Sequence, residues 1–281
     1  MTAGTLYIIA TPIGNLEDMT YRAVRILGEV DLIAAEDTRH SLKLLNHFGI
    51  TKPLTSYFDH NQQIKGERIL NALRQGRSVA LISDAGTPCV SDPGYQLVRD
   101  AVAEHIPVVP IPGACAAITA LSASGLPTDT FTFAGFAPAR QGKRRTFLTT
   151  MDALPGTLVL YEAPHRLQET LNDIREVLGE RQVIVARELT KMYEEFIRGT
   201  VSEVIDAVSQ GIIRGEVALL IAPGDNVPED AEPLENVLRR LMAEGTLSIK
   251  DIAKQASVIS GVSRSEAYAE ALRLKNDPNY A

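Results

Sequence analysis

"SDAGTPCVSDPG", Ser83 to Gly94, follows the apolar run "VALI" (Val79–Ile82) directly and leads into the amphipathic "YQLVRDAVAEH" that ends at His105. Strand, turn-rich loop and helix in that order form the repeating unit of a parallel α/β sheet. The loop packs two aspartates, two prolines and two glycines into twelve residues, with no lysine or arginine. In open α/β sheets, loops at the carboxyl ends of strands are where ligands bind. An acidic loop with exposed backbone suits a ligand carrying a localised positive charge, such as a sulfonium. A ligand with several phosphates would want cationic partners there instead.

The same unit recurs on either side. "TLYIIA" from Thr5, "DLIAA" from Asp31 and "PVVPI" from Pro107 read as further strands. "SLKLLNHF", "QQIKGERILNALRQG" with its closing Gly76, and the small-residue "ACAAITALSASG" read as helices. Three of the strands run into "TPIGN", "EDTRH" and "PGACAA", and neither GxxxxGK[ST] nor a strand-linked GxGxxG occurs, so the two common phosphate cradles are missing. "SGLPTDTF", from Ser124, is a polar hinge that predicts an N-terminal α/β domain over residues 1–125. Beyond it "TFTFAGF", "GTLVLYEA", "RQVIVARELT", "EEFIRGT" and "GEVALLIAPG" are more closely spaced strands, with "HRLQETLNDIREVLG" a helix among them. They predict a second α/β domain over 126–226 whose sheet is mixed. "PGDNVPEDAEP" is a linker by composition, and 227–281 is linker and helical tail with a helix-turn-helix cadence: "SIKDIAKQA", a turn at Ser260-Gly261, then "SRSEAYAEAL". From the linker onward acids outnumber bases, which favours a packing bundle over a DNA reader.

Composition narrows the class. The 281 residues are 45% hydrophobic and 22% charged, with a net charge of −7, so nucleic-acid binding over the whole surface is not indicated. Cys89 and Cys115 are the only cysteines and lack metal-ligand spacing, so neither a disulfide scaffold nor a metal site is expected. "MTAGTLYIIATPIG" has no basic region before its short apolar run, and three prolines break the apolar stretch from Ile106 to Leu126. Neither reads as a signal peptide or membrane span, and the expected compartment is the cytoplasm.

Taken in order, "TPIGNLEDMTYRA", "AAEDTRH", "LISDAGTPCVSDPGYQLV" and "VVPIPGACAAITALSASGLP" resemble the tetrapyrrole-methylase superfamily, over a match running from about Thr5 to Gly224. The tail is similar to a C-terminal helix-turn-helix segment found in one branch of it. Typical tetrapyrrole enzymes carry GxGPG after the first strand and GDP after the third motif strand. "TPIGN" and "SDAG" stand here instead, as in the branch that methylates the ribose 2′-oxygen of a cytidine in small-subunit (16S) ribosomal RNA. The resemblance implies two α/β domains with S-adenosylmethionine folded into the cleft between them, a homodimer, and naked rRNA or an assembled ribosomal subunit as partner. It implies no membrane and no metal. The competing readings are a tetrapyrrole C-methyltransferase acting on a corrin or porphyrin precursor, and a non-catalytic nucleic-acid-binding regulator using the tail.

On this resemblance Ser83, Asp84, Ala85, Gly86 and Thr87 wrap the cofactor. Gly86 permits close backbone approach, and Asp84 accepts hydrogen bonds from the ligand or else shapes the loop as an Asx turn. Asp92, just before Pro-Gly and a helix, reads more as a helix cap. Pro112, Gly113, Ala114 and Ala116 line the pocket with small side chains, Pro12 and Gly14 lie near the transferable methyl, and the second domain adds backbone contacts near Leu160, Arg187 and Ala218. Methyl transfer from a sulfonium is an in-line displacement in which geometry contributes most, though a ribose hydroxyl benefits from a base or oriented hydrogen bonds. Candidates for that role are Glu36, Asp37 and Arg39 of "EDTRH", where an Arg39–carboxylate ion pair bracing the helix start is the alternative, and His60 of "FDHN". For RNA phosphates the candidates are Arg140, Lys143, Arg144 and Arg145 of the dense cationic run "ARQGKRR", where a solvated helix start is the alternative, with His165 and Arg166 of "EAPHR", where ordinary helix capping is.

Overall fold

The computed structural model describes residues 3–58, 62–211, 213–224, 233–243, 247–260, 262 and 264–275. It divides into two compact units, Met1–Pro223 and Gly224–Ala281.

The first unit begins with a parallel five-stranded sheet in the order β3-β2-β4-β1-β5, formed by β1 Leu6–Ile9, β2 Leu32–Ala35, β3 Leu54–Ser56, β4 Val79–Ile82 and β5 Val108–Ile111. Both faces are covered, so in the central strands side chains pointing to either face are apolar: Leu6, Ala34, Val79 and Leu81 pack on one face, Ile9, Ile33, Ala35, Ala80 and Ile82 on the other. Helices α1 Tyr21–Glu29 and α2 Thr38–His47 cover the second of these faces, through Ala23, Ile26, Leu27 and Leu45. Helices α3 Gln62–Arg74 and α4 Tyr95–Ala103 cover the first, through Ile69, Leu73, Leu97 and Ala101. Right-handed crossovers place a helix on one face when the chain steps one way along the sheet and on the other face when it steps back. β1 and β4 are neighbours, yet β1 leads to β2 on one side and β4 leads to β5 on the other. Their loops therefore part, and the crevice between them is the place for a ligand.

Helix α5 Ala116–Ser122 then precedes a second sheet in the order β6-β7-β10-β8-β9, built from β6 Phe131–Phe136, β7 Thr157–Glu162, β8 Gln182–Arg187, β9 Glu195–Thr200 and β10 Val217–Ile221. It is mixed: β6 and β7 are parallel, the other pairs antiparallel. One face packs on α6 Gln141–Asp152, α7 Leu167–Leu178 and α8 Val201–Ser209, burying Leu148, Leu171, Ile174, Val204 and Ile205 against Leu160, Val185 and Leu219. The other face, with Val159, Ile184, Ala186, Ala218 and Leu220, takes Ala117, Ala120 and Leu121 of α5 together with Ile13. The small residues of α5 are what let it lie so close to the sheet. By packing, a helix that precedes the hinge belongs to the second sheet, and so joins the two halves.

In the second unit α9 Leu234–Ala243, α10 Ile249–Ser260 and α11 Arg264–Lys275 share an apolar core of Val237, Leu238, Ile252, Ala256, Ala271 and Leu274. Gly261, on which the expected turn falls, lies outside the described residues. Among the described residues no helix is long and apolar enough to cross a membrane.

Candidate functional site

The crevice is held by one backbone bridge. Thr11, just after β1, and Gly86, just after β4, exchange hydrogen bonds of 2.9 and 3.0 Å, and the Thr11 hydroxyl donates to the Ser83 carbonyl at 3.1 Å. From there the 83–94 loop runs through a series of left-handed backbone positions: Gly86 at φ 77°, Cys89 at 71°, Ser91 at 64° and Gly94 at 142°. Gly94 has no room for a side chain, since a Cβ there would stand 2.7 Å from the Cys89 Sγ and 2.8 Å from Leu81. The Thr87 hydroxyl ties the loop to the Ala114 carbonyl after β5 at 3.1 Å. A second strained loop follows β8, with Glu188 at φ 50° and Thr190 at 65°. Backbone strain of this kind persists only where the surroundings over-determine it, and it gathers at ligand sites.

Both loops border a cavity of about 290 Å³, which Ile13, residues 85–87, Asp92, Cys115 and Ala116 line from the loops after β1, β4 and β5 and the start of α5. The second sheet adds Tyr161, Glu162, Leu189, Glu216 and Ala218. Among the described residues its wall holds acids and no lysine or arginine. Burial pushes the Asp92 carboxyl up to about 6, a hydrogen bond from Ser83 opposing it and the Asp84 charge reinforcing it. The Tyr161 phenol rises to about 12 through burial and then the neighbouring Cys115, and its oxygen accepts the Ala117 N–H at 3.1 Å. Asp92 does not cap α4. Gly94 occupies that position without a side-chain bond, because its left-handed turn aims Asp92 at the cavity instead. A cavity with an acidic wall, backbone that closes tightly at Gly86, and no cationic side chain fits a compact organic cation better than a polyphosphate. Among the described residues no group of three or more His, Cys, Asp and Glu could hold a metal ion.

A second cavity of about 310 Å³ is lined from the same two strand-end loops, with Thr11, Pro12, Gly14 and Leu16, Ser83 and Asp84, and the start of α2 around it. Gly14 is a packing glycine as well, since a Cβ there would fall 2.5 Å from the Lys191 side chain and 2.9 Å from the Leu189 carbonyl. The Asp84 carboxylate accepts the Asp37 N–H at 3.0 Å, and the Asp84 N–H donates to Glu36 at 3.4 Å, lacing the ends of β2 and β4 together. Asp37 is the N-cap of α2: it accepts the Arg39 N–H at 2.8 Å and pairs with the Arg39 guanidinium at 2.8 Å. The hydrogen bonds from the Arg39 side chain and backbone hold the Asp37 carboxyl down to about 2, too acidic to take a proton at neutral pH.

The residues singled out in the sequence thus separate. Ala85, Gly86, Thr87, Ala116 and Ala218 line the first cavity; Pro12, Gly14, Ser83 and Asp84 line the second. Pro112 and Gly113 are exposed, and a Cβ on Gly113 would press within 2.9 Å of Ala10. Leu160 is wholly buried in the core on the far face of its sheet, and Arg187 pairs with Glu195 at 2.5 Å. His60 lies outside the described residues. In the cationic run Arg140 and Lys143 are exposed, but Arg144 is not a surface cation. It is 1% exposed and bonds Asp173 at 2.7 Å, because its place on α6 faces α7. Arg145 spans Asp173 at 2.8 Å and Glu176 at 2.5 Å. Arg166 likewise turns inward, donating to the Ala137 carbonyl at 2.6 Å and facing buried Glu162, while His165 is exposed. Tyr161, Glu162, Leu189 and Glu216, which also line the first cavity, carry no local sequence signal. They sit within apolar strands or beside them, and only the fold turns them toward the loops of the first sheet.

Residues 5–205 match the family model of tetrapyrrole (corrin/porphyrin) methylases, and 227–275 match that of the RsmI C-terminal HTH domain. A protein of Halalkalibacterium halodurans named ribosomal RNA small subunit methyltransferase I is 49% identical over 272 residues, covering 94% of this chain and 93% of its own. One of the same name from Pseudomonas aeruginosa is 49% identical over 280 residues, covering 97% and 98%. Among solved structures, uroporphyrin-III C-methyl transferase from Thermus thermophilus complexed with S-adenyl homocysteine shares the fold, with a TM-score of 0.54 at 19% identity over 79% of this chain and 98% of that one. The two parted loops, the mixed second sheet and the helical tail therefore have one family behind them: the chain belongs to the tetrapyrrole methylases, in the branch of ribosomal RNA small subunit methyltransferase I.

Proposed function

We propose that the chain is an S-adenosylmethionine-dependent methyltransferase that acts on the ribose 2′-oxygen of a cytidine in small-subunit (16S) ribosomal RNA, in the cytoplasm and as a homodimer. The observation that carries this reading is near-full-length identity of 49% to proteins named for methylating that RNA. The acid-walled first cavity supports the cofactor assignment. Bound there, S-adenosylmethionine supplies a methyl on a cationic sulphur, ready for in-line displacement. The chain's own groups hold and orient. Backbone at 85–87 closes on the ligand, Thr87 fixes that backbone to the β5 loop, and Asp92 sets a carboxylate beside the positive charge. Since that charge is dispersed as the methyl leaves, a carboxylate there favours binding more than the transfer itself.

Purified protein, given S-adenosylmethionine labelled on its methyl, is expected to label a cytidine 2′-oxygen of small-subunit rRNA, presented naked or in the subunit. Label on a base carbon, or transfer to a tetrapyrrole instead, would overturn the reading.

A pH dependence follows from Asp92. Its folded carboxyl is raised from 3.8 to about 6, so the folded chain holds this proton more tightly than the unfolded chain does. The stability this confers is complete below pH 3.8 and is lost as the pH rises through about 6. A bound cation reverses the preference by favouring the carboxylate. Cofactor affinity is therefore expected to rise with pH, by at most about tenfold per unit, and to level off above about pH 6 to 7. Calorimetry on the wild type and Asp92→Asn checks it: the variant should bind more weakly and lose the slope. An unchanged slope in the variant would place the titrating group elsewhere.

A further inference from the structure

The second cavity, on the α2 side of the Thr11–Gly86 bridge, holds a feature that the fold does not use. Ser41 is among the residues around it; it is 2% exposed, and its buried Oγ has no hydrogen-bond partner. A buried hydroxyl left unpaired is destabilising, and a helical serine normally escapes this by bonding the carbonyl one turn back. That carbonyl, on Asp37, accepts the Ser41 N–H at 3.0 Å instead. On the same wall stand His40 and Lys43, one turn apart on α2 and exposed, and neither forms an ion pair among the described residues. Leu16 and Leu44 add apolar surface beside them. The two cavities thus differ in chemistry. One has an acidic wall without lysine or arginine; the other sets a lysine, a histidine, an unpaired hydroxyl and an apolar face around one carboxylate, Asp84, which already accepts the Asp37 N–H. They share a single loop, with residues 83–84 facing one and 85–87 facing the other.

We infer that the second cavity seats the acceptor nucleotide. Lys43 and His40 hold a phosphate next to the methylated ribose, Ser41 Oγ bonds the nucleotide itself, and Leu16 and Leu44 carry a face of the base. This inference rests on the RNA substrate proposed above and assigns it a place. A phosphodiester finds Lys43 at the second cavity and only acids among the charged groups of the first, as a sulfonium is drawn the other way. The shared loop then brings the two ligands together at the bridge, where Ser83 and Asp84 give way to Ala85 and Gly86.

Three variants of the full chain test this with small-subunit rRNA and labelled S-adenosylmethionine. Ser41→Ala removes an oxygen that bonds nothing in the protein, so thermal stability should not fall. Its KM for rRNA should rise about five- to tenfold, the loss of one hydrogen bond, with cofactor affinity unchanged. Lys43→Ala should lower RNA affinity and reduce the slope of its logarithm against log salt by about 0.7–0.9, one phosphate contact. The double variant His40→Ala/Lys43→Ala should flatten the slope further. Variants that keep the wild-type KM and salt slope, on an RNA the wild type methylates, overturn this subsite and leave the function standing. A wild type that places no methyl on rRNA overturns the function, and the subsite with it.

Discussion

Gly86→Val is expected to weaken S-adenosylmethionine binding by at least about a hundredfold while the chain still folds. Gly86 sits at φ 77°, where an L side chain with a branched Cβ is strained by about 1–2 kcal/mol. The strain falls on the residue whose N–H and carbonyl make the bridge to Thr11, so the loop must shift or the bridge must loosen. Space adds a second penalty. A Cβ at this position meets Ile13 Cγ2 at 3.5 Å and the Ala114 carbonyl oxygen at 3.9 Å, both ordinary contacts, and the valine methyls beyond it would enter the cavity. Gly86→Ala separates the two causes, because it carries the backbone strain without the methyls. Its loss of affinity should be about tenfold. RNA affinity measured without cofactor should largely survive both changes. Equal, small losses in both variants, read by calorimetry, would mean that the ligand does not lie against Gly86.

What the sequence makes legible here follows from burial. β1, β2, β4 and β5 each read as short apolar runs because both faces of a parallel sheet are covered, and α2 to α4 read as amphipathic because one side of each is wet. β3 escapes that reading: Leu54–Ser56 is three residues long, lies at the sheet edge and is only half-buried, so it leaves no run to find. α1 begins at Tyr21, whose side chain is 98% exposed, directly after a turn-rich segment that hides its apolar spacing. The first cavity was half legible. Its loop from the first sheet announces itself by turn chemistry and missing cations, whereas Tyr161, Glu162 and Leu189 reach it only through pairing in a second sheet whose order no local pattern encodes. Charge misled in a similar way. A run of basic residues counts cations without saying which way a helix faces, and on α6 the consecutive Lys143 and Arg144 are exposed and buried respectively.

Arg144→Ala is therefore expected to destabilise the chain rather than to weaken RNA binding directly. Arg144 and Asp173 are 1% and 2% exposed at the side chain, 2.7 Å apart, and join α6 to α7 over the outer face of the second sheet. Burial pushes the Asp173 carboxyl up, and the hydrogen bonds from Arg145 and Arg144 overcome that and bring it below its usual range. Removing one partner of a buried pair costs about 3–5 kcal/mol, most of it from the charge left behind. Here Arg145 at 2.8 Å and Gln141 at 3.3 Å still reach Asp173, so the lower end, about 3 kcal/mol, is expected in denaturant unfolding. Lys143→Ala, one residue away and exposed, should change stability by less than about 0.5 kcal/mol. A double replacement, Arg144→Met with Asp173→Leu, should lose much less than the sum of its single changes, because no buried charge is stranded. If Arg144→Ala instead kept wild-type stability and lowered both RNA affinity and its salt slope, the guanidinium would be meeting phosphate, and α6 would have to release it from Asp173 to do so.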